Sequence, residues 1–292
     1  MKASVVLNVH QGTDFDGFCE ATDSVLGQEY DDMEVVVVVS DAPSLEAEIA
    51  ESYGRLENVR IVALEDDDGL STARNYGAEV SEGDIVVFTD DDVIAEPDWL
   101  SHIVQTYEAH EPDGVGGRAV PIWPAGNSGY LPDEFYWLVG VMHDNFVDVA
   151  EPQPVRNTFG CNISFDRDVF IKKGGFREDL GKNTDKPLQG EEAEFCERLD
   201  GEFWYTPHAT VRHKVDTHQL STEYLLKRAF WQGYSKAELA DDMSDESSFL
   251  QDLLCDSIPR RLKRPTTRNL GEVAMLLLLT GAVGSGFLYG KT

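Results

Sequence analysis

Gly83-Asp84-Ile85-Val86-Val87-Phe88-Thr89-Asp90-Asp91-Asp92 is the stretch that decides the fold. An apolar run, Ile85 to Phe88, stops at three consecutive carboxylates. A short run rich in Val and Ile reads as a buried strand. Carboxylates at its carboxyl end stand where open α/β sheets bind ligands. Neighbouring carboxylates repel one another, so a fold tolerates three of them in water or around a cation. Hard oxygen ligands suit Mg²⁺ or Mn²⁺, which take one or two carboxylates together with substrate phosphates. Asp90, Asp91 and Asp92 therefore read as a metal–nucleotide site. An acidic turn in a very acidic protein is the other reading of the same residues.

The flanking sequence extends the pattern in both directions. Upstream, Ala3 to Val9 reads as a strand and Phe15 to Leu26 as a helix ended by Gly27. Glu34 to Val39 contains five consecutive valines, the composition of a parallel strand buried on both faces. Ser40-Asp41-Ala42-Pro43 breaks it; Leu45 to Tyr53 is a helix and Val59 to Leu64 a third strand. Leu70 to Val80 is helical, with Ser71 as its N-cap. Downstream, Pro97 begins a helix carrying Trp99 and Leu100. Strands alternating with helices through about residue 110 predict an α/β fold with a mostly parallel sheet. Residues 112–156 then read as a strand plus a long insertion. Phe159 to Phe165 is a strand, Asp166 to Lys173 a short helix, 174–190 a loop and Glu192 to Leu199 a helix. Phe203 to Thr206 is a short strand, Leu220 to Leu239 a long helix, and Asp245 to Ile258 a last amphipathic piece.

Composition narrows the function. The chain has 292 residues, 54 acidic against 24 basic, for a formal charge of −30. A nucleic-acid binder needs a basic face, which excludes that class. The acidic excess is spread along the whole chain, as on a salt-adapted surface, and 41% hydrophobic content opposes disorder. Cys19, Cys161, Cys196 and Cys255 are far apart, which fits reduced thiols in the cytosol. No basic-then-apolar leader opens the sequence.

Two further motifs carry chemistry. Asp41 follows the second strand, on the same sheet edge as Asp90, where a carboxylate accepts a hydrogen bond from a base N–H or a ribose hydroxyl. Gly69-Leu70-Ser71-Thr72-Ala73-Arg74-Asn75-Tyr76-Gly77 opens a helix with small residues, Arg74 and Asn75. Arg74 can reach a nucleotide or a nearby carboxylate; Asn75 can hold a backbone loop.

Taken together, Gly69-Leu70-Ser71, Ala73-Arg74-Asn75, Gly77, Phe88-Thr89-Asp90-Asp91-Asp92 and Trp99-Leu100 resemble the inverting family-2 glycosyltransferases with the GT-A fold. Gly160-Cys161-Asn162-Ile163-Ser164 resembles their acceptor-side strand, and Gly174-Gly175-Phe176-Arg177-Glu178 their Gly-Gly-Phe-x-Glu loop. Gly190-Glu191-Glu192-Ala193-Glu194 falls where they carry a Glu-Asp pair. The resemblance covers about residues 3–235. Three features depart from it. Leu7-Asn8-Val9-His10-Gln11 lacks the usual Pro and aromatic, Ser40-Asp41 replaces an acidic pair, and Glu192 stands where the base is normally Asp.

The resemblance implies a nucleoside-diphosphate sugar, a UDP-sugar foremost, as donor. It implies Mg²⁺ or Mn²⁺ held by Asp90 and Asp92, with His213 reaching metal or phosphate. Asp41, Arg74, Asp90, Asp91 and Arg228 would contact the donor. Glu192 would be the catalytic base, with Glu191 as the alternative one residue earlier.

The C-terminal stretch has its own signal. Pro259-Arg260-Arg261-Leu262-Lys263-Arg264-Pro265 packs four cations directly before Leu270 to Tyr289, which contains Met275-Leu276-Leu277-Leu278-Leu279. Cations beside an apolar helix read as an anchor at the cytoplasmic face of a membrane, peripheral or tail-anchored. Gly281, Gly284 and Gly286 weaken a full span, and a buried terminal helix is the rival reading. The expected organisation is a glycosyltransferase domain over 1–240 and a membrane-associating tail over 241–292.

The tail suggests a lipid-linked acceptor, and the resemblance, which extends to the halophilic archaeal members of the family, implies transfer of a hexose or hexuronic acid to a glycan on dolichyl phosphate for protein N-glycosylation. A polysaccharide or O-antigen-type transferase on another lipid carrier is the enzyme alternative. A nucleotidyltransferase would need a basic Gly-rich loop after the first strand, which Gln11-Gly12-Thr13 is not. A non-catalytic paralogue is the third class, raised by Glu192 in place of Asp.

Overall fold

Five valines in a row leave a strand no polar side, and Met33–Ser40 (β2) is buried at every residue. The structure, a computed structural model, describes residues 1–66, 69–142, 150–180, 188–239 and 251–292. Within these, β2 pairs in parallel with Ala3–His10 (β1) and Val59–Leu64 (β3), and β1 pairs in parallel with Ile85–Thr89 (β4). The sheet continues through Val93–Ala95 (β5), Gly114–Ile122 (β6), Gln153–Pro154 (β7), Ile163–Asp166 (β8) and Phe203–Lys214 (β9). Its order is β3-β2-β1-β4-β8-β6-β9-β5, with β7 also on β9.

The expected parallel sheet is the β3-β2-β1-β4 half. Beyond β4 the sheet is mixed: β8 is antiparallel to β4 and β6, β6 is parallel to β9, and β5 is antiparallel to β9. Two strand predictions are corrected. Phe159 to Phe165 divides into a 3₁₀ turn, Gly160–Asn162, and β8. The short strand at Phe203 to Thr206 runs on to Lys214, because β6 pairs with it again from Thr210 to Lys214 beyond a register shift at Gly117/Arg118.

Helices cover both faces of the sheet. On one, Phe15–Leu26 (α1), Pro43–Tyr53 (α2) and Trp99–His110 (α4) pack Phe18, Ile49, Trp99, Leu100 and Ile103 against Val5, Leu7, Val35, Val37 and Val87. On the other, Leu70–Val80 (α3), Arg167–Lys172 (α5) and Glu191–Glu197 (α6) close over Val6, Val36, Val38 and Phe88. There Phe88, Phe165, Phe170, Phe176 and Phe195 form one aromatic cluster, with ring centroids from 4.7 to 6.4 Å apart. Burying each such ring contributes about 1.5–3 kcal/mol, so this cluster is a main anchor for α5 and α6. α3 is capped at Gly69, not by Ser71; the Ser71 hydroxyl donates to the Leu180 carbonyl at 3.2 Å.

The described chain groups into two compact units. Met1–Ile122 with Gly140–Lys214 makes the first, and Trp123–Val139 with Val215–Thr292 the second. Thr222–Leu239 (α7), expected within the first domain, groups with Ile258–Leu262 (α8) and Thr267–Gly290 (α9). Residues 245–250 of the expected amphipathic piece lie outside the described residues. Inside the second unit Arg261 is buried and pairs with Asp133, with Glu134 at 2.7 Å and with Glu272 at 2.8 Å. One of the four clustered cations is thus turned inward, where it ties α9 to the Asp133–Val139 turn.

Candidate active site

Strand pairing brings the acidic triplet to a histidine distant in sequence. β5 begins directly after Asp92 and runs antiparallel to β9, placing Val93 opposite His213. The Lys214 N–H donates to the Asp92 carbonyl at 3.0 Å. The two side chains therefore meet: Asp92 Oδ1 lies 3.1 Å from His213 Nε2. Asp90 joins them, so that one ligand atom from each of the three falls within 4.8 Å of the others. His213 was expected beyond a short strand; it lies within β9, largely buried. Two carboxylates and an imidazole converging so closely, with Asp92 Oδ1 buried, form a donor set that suits Mn²⁺ or Mg²⁺.

Behind this cluster lies a second one centred on Arg74. Its side chain is 1% exposed and faces three carboxylates: Asp90 at 2.9 Å, Glu192 at 3.2 Å and Glu191 at 3.7 Å. Burial works against the guanidinium charge, but Asp90, Glu192 and Glu191 outweigh it and hold the group charged. Arg74 can stand there because α3 packs flush on the sheet one turn later. A Cβ at Gly77 would overlap Val6, so only glycine lets the helix approach so closely. The carboxylates arrive from the other side, at the start of α6. Glu191 also accepts the Gly190 N–H at 3.2 Å. Glu192 sits against Gly160, where a Cβ would overlap its Oε1 and crowd both terminal nitrogens of Arg74. Burial first, and then the charge of Glu191, push the Glu192 carboxyl up to about 7, with Arg74 pulling the other way.

The remaining predicted residues divide. The Asp91 carboxylate meets the Thr13 hydroxyl on the loop after β1; burial and the neighbouring Asp92 and Asp90 raise it to about 6. Asp41 is exposed at the end of β2, with φ +43°, a left-handed conformation that Asp tolerates. Among the described residues it makes no ion pair with the Arg74 cluster. Arg228 belongs to α7, in the second unit.

Sequence reasoning missed several supports. Thr13 had no local signal beyond a turn. Asn162, fully buried, accepts from Trp99 Nε1 at 2.8 Å and donates to the carbonyls of Arg118 and Ala209, which locks the turn carrying Gly160. Asn75 does hold a loop. Its amide donates to the Phe176 carbonyl and accepts the Phe176 N–H, each at 2.8 Å.

The arrangement matches known proteins. The profile of glycosyl transferase family 2 matches residues 4–173. A glucosyl-dolichyl phosphate glucuronosyltransferase of Haloferax volcanii is 37% identical over 99% of this chain and 96% of its own length. A mannosyltransferase from Pyrobaculum calidifontis, solved with GDP-Man and Mn²⁺, superposes over 100% of this chain and 88% of its own at TM-score 0.66 and 16% identity. GalNAc-T7, solved with UDP, GalNAc and Mn²⁺, covers 87% of this chain and 55% of its own at TM-score 0.61 and 16% identity. The structural likenesses establish the GT-A fold. With the profile spanning more than half of its residues and a near-full-length relative, the chain belongs to glycosyl transferase family 2 and is a glycosyltransferase.

Proposed function

We propose that this enzyme transfers glucuronic acid, a hexuronic acid, from its UDP-sugar to a glucosylated dolichyl phosphate. The transfer would take place at the cytoplasmic face of a membrane, in the assembly of a glycan for protein N-glycosylation. The observation that carries the reading is the near-full-length likeness to the Haloferax volcanii glucuronosyltransferase. Asp90, Asp92 and His213 would hold Mn²⁺ or Mg²⁺, which when bound neutralises charge on the departing diphosphate. Asp41 is assigned to the nucleoside, Asp91 to the donor ribose–phosphate region and Arg228 to the diphosphate. Glu192 is assigned as the base. It takes the proton of the acceptor hydroxyl as that oxygen attacks the anomeric carbon and the nucleoside diphosphate leaves with the electron pair of the broken bond. A carboxylate raised to about 7 suits that task at neutral pH. Arg74 is already committed to Asp90, Glu191 and Glu192, so its role in this mechanism is to set the spacing between the metal ligands and the base.

The test is transfer by the purified protein in concentrated KCl, with UDP-glucuronic acid, UDP-glucose and GDP-mannose offered separately beside glucosylated and unsubstituted dolichyl phosphate. Mass spectrometry should show a hexuronic acid added to the glucosylated lipid alone, and NMR should show an inverted anomeric centre. Addition of a neutral hexose, or transfer to unsubstituted lipid, would overturn the substrate assignment. The Asp92→Ala variant should lose metal-dependent donor binding in calorimetry; undiminished binding in the presence of a chelator would remove the metal from the reading.

A further inference from the structure

α9 departs from the rest of a chain of net charge −30. From Val273 to Gly290 it carries no charged residue, although much of this stretch faces outward. Leu270, Ala274, Leu277, Leu278, Gly281 and Leu288 are exposed and recur at helical spacing along one face. Leu277 is 57% and Leu288 69% exposed. The other face is occupied: Met275, Leu276, Leu279 and Gly286 are buried as α9 packs along α7. The two helices approach so closely that a Cβ at Gly286 would overlap the Phe230 carbonyl, and one at Gly233 the Val283 carbonyl. The ring of Tyr289 lies 5.9 Å from those of Phe230 and Tyr234. α9 is thus apolar all round, with one side committed to α7 and the other bare. A contiguous bare apolar face of that length marks an interaction surface.

Charge identifies the partner. Lys263 and Arg264 are exposed just before α9, in a chain with only 24 basic residues, and Arg260 and Arg268 are exposed beside them, paired with Glu134 at 3.6 Å and Glu272 at 2.8 Å. Cations at one end of an apolar helical face complement anionic headgroups above a hydrocarbon layer. The orientation follows from α7. That helix carries Glu223, Lys227, Arg228, Lys236 and Glu238 and is packed tightly on α9. A span by α9 would draw these charges into hydrocarbon, which is strongly unfavourable. Lying flat, α9 keeps α7 on the water side.

We propose that α9 docks in the plane of an anionic membrane surface. The Leu270–Leu288 face enters the boundary between headgroups and acyl chains over about 27 Å, at about 1.5 Å per residue. The proposal deepens the lipid-linked acceptor reading and rests on it only for the choice of membrane. In concentrated salt the cations are screened, so the leucines supply the hold.

The test is flotation of the full-length protein with vesicles of phosphatidylglycerol or phosphatidylcholine, in dilute and in concentrated KCl. The intact protein should bind both in concentrated KCl and prefer phosphatidylglycerol in dilute KCl. Leu277→Ser with Leu278→Ser and Leu288→Ser should lower partitioning about tenfold or more, at unchanged circular dichroism, since all three side chains are exposed. Lys263→Gln with Arg264→Gln should weaken binding in dilute KCl alone. Alkaline carbonate should release the bound protein. Equal flotation of the serine variant would overturn the proposal, as would retention after carbonate, which indicates a span. A lipid-free dimer dissolved by the serine substitutions would assign the face to a second copy instead. Transfer to a water-soluble acceptor analogue, measured in parallel, separates the two ideas. If transfer persists while vesicle binding is absent, docking alone fails. If vesicle binding holds while no lipid-linked acceptor is used, the acceptor assignment alone fails.

Discussion

Glu192 is a carboxylate placed where it is easily protonated. Burial and the adjacent charge of Glu191 raise it to about 7, so it loses its proton only as the pH passes neutrality. As the proposed base it would act in its deprotonated form. Turnover at saturating donor should therefore be low below pH 7, rise through it and level off above. Glu192→Gln should abolish that rise and lower kcat by roughly a hundredfold or more while leaving donor affinity intact. A pH profile of kcat beside donor calorimetry checks both, and the same loss confined to Glu191→Gln would move the base by one residue. Gly160 is the complementary case. A methyl group there meets Glu192 Oε1 and the Arg74 guanidinium, so Gly160→Ala should lower kcat and cost about 1–3 kcal/mol in a urea titration. The aspartates and Arg74 could be read from the sequence because charged side chains near a strand end or helix start announce chemistry. Gly160 could not, since its contribution is the space it leaves free.

At the level of elements, the short helix α6 is held by its far end. Arg198 grips Glu194 with Nε at 2.9 Å and Nη2 at 3.0 Å, and donates to the carbonyls of Lys173 and Gly175, both at 2.6 Å. Asn75 of α3 holds the same loop at Phe176. Two elements that meet at the Arg74 cluster are thereby braced against each other through one loop. Arg198→Ala should reduce kcat with donor dissociation constants unchanged, whereas Arg198→Lys should recover part of the rate through the carbonyl contacts. Equal losses in kcat and donor affinity would instead indicate general unfolding of α6. The first four strands and the helices between them are legible in the sequence because they are local: each is a run of β-branched residues bounded by turn chemistry. β5 is only three residues long, and the second half of β9 offers only Val-Arg-His-Lys as a pattern. Their identity as strands comes from pairing with one another and with β6, a relation that no local window contains.

Across the whole molecule, the second unit depends on an interior ion cluster. Arg261 is nearly buried and shared by Asp133, Glu134 and Glu272; removing it leaves Glu134 with Arg260 at 3.6 Å, Glu272 with Arg268 at 2.8 Å, and Asp133 without this cation. Arg261→Ala should destabilise this unit by about 1–3 kcal/mol, the usual penalty for taking a partner away from part-buried polar groups. Denaturation followed by near-ultraviolet circular dichroism checks this, and a change below about 1 kcal/mol, as for an exposed pair, would contradict the burial. The sequence reading took Arg261 as one of four surface cations because charge alone does not say which way a side chain points. The position of β9 has a consequence for how the enzyme comes into being. Among the described residues β9 is the last strand, yet it lies between β6 and β5 in the sheet. The ribosome adds the 121 residues from Asp92 to His213 over about 6–24 s, at about 5–20 residues per second. During that interval the nascent chain carries the aspartates without their imidazole. The cluster of Asp90, Asp92 and His213 thus exists only once β9 has been inserted.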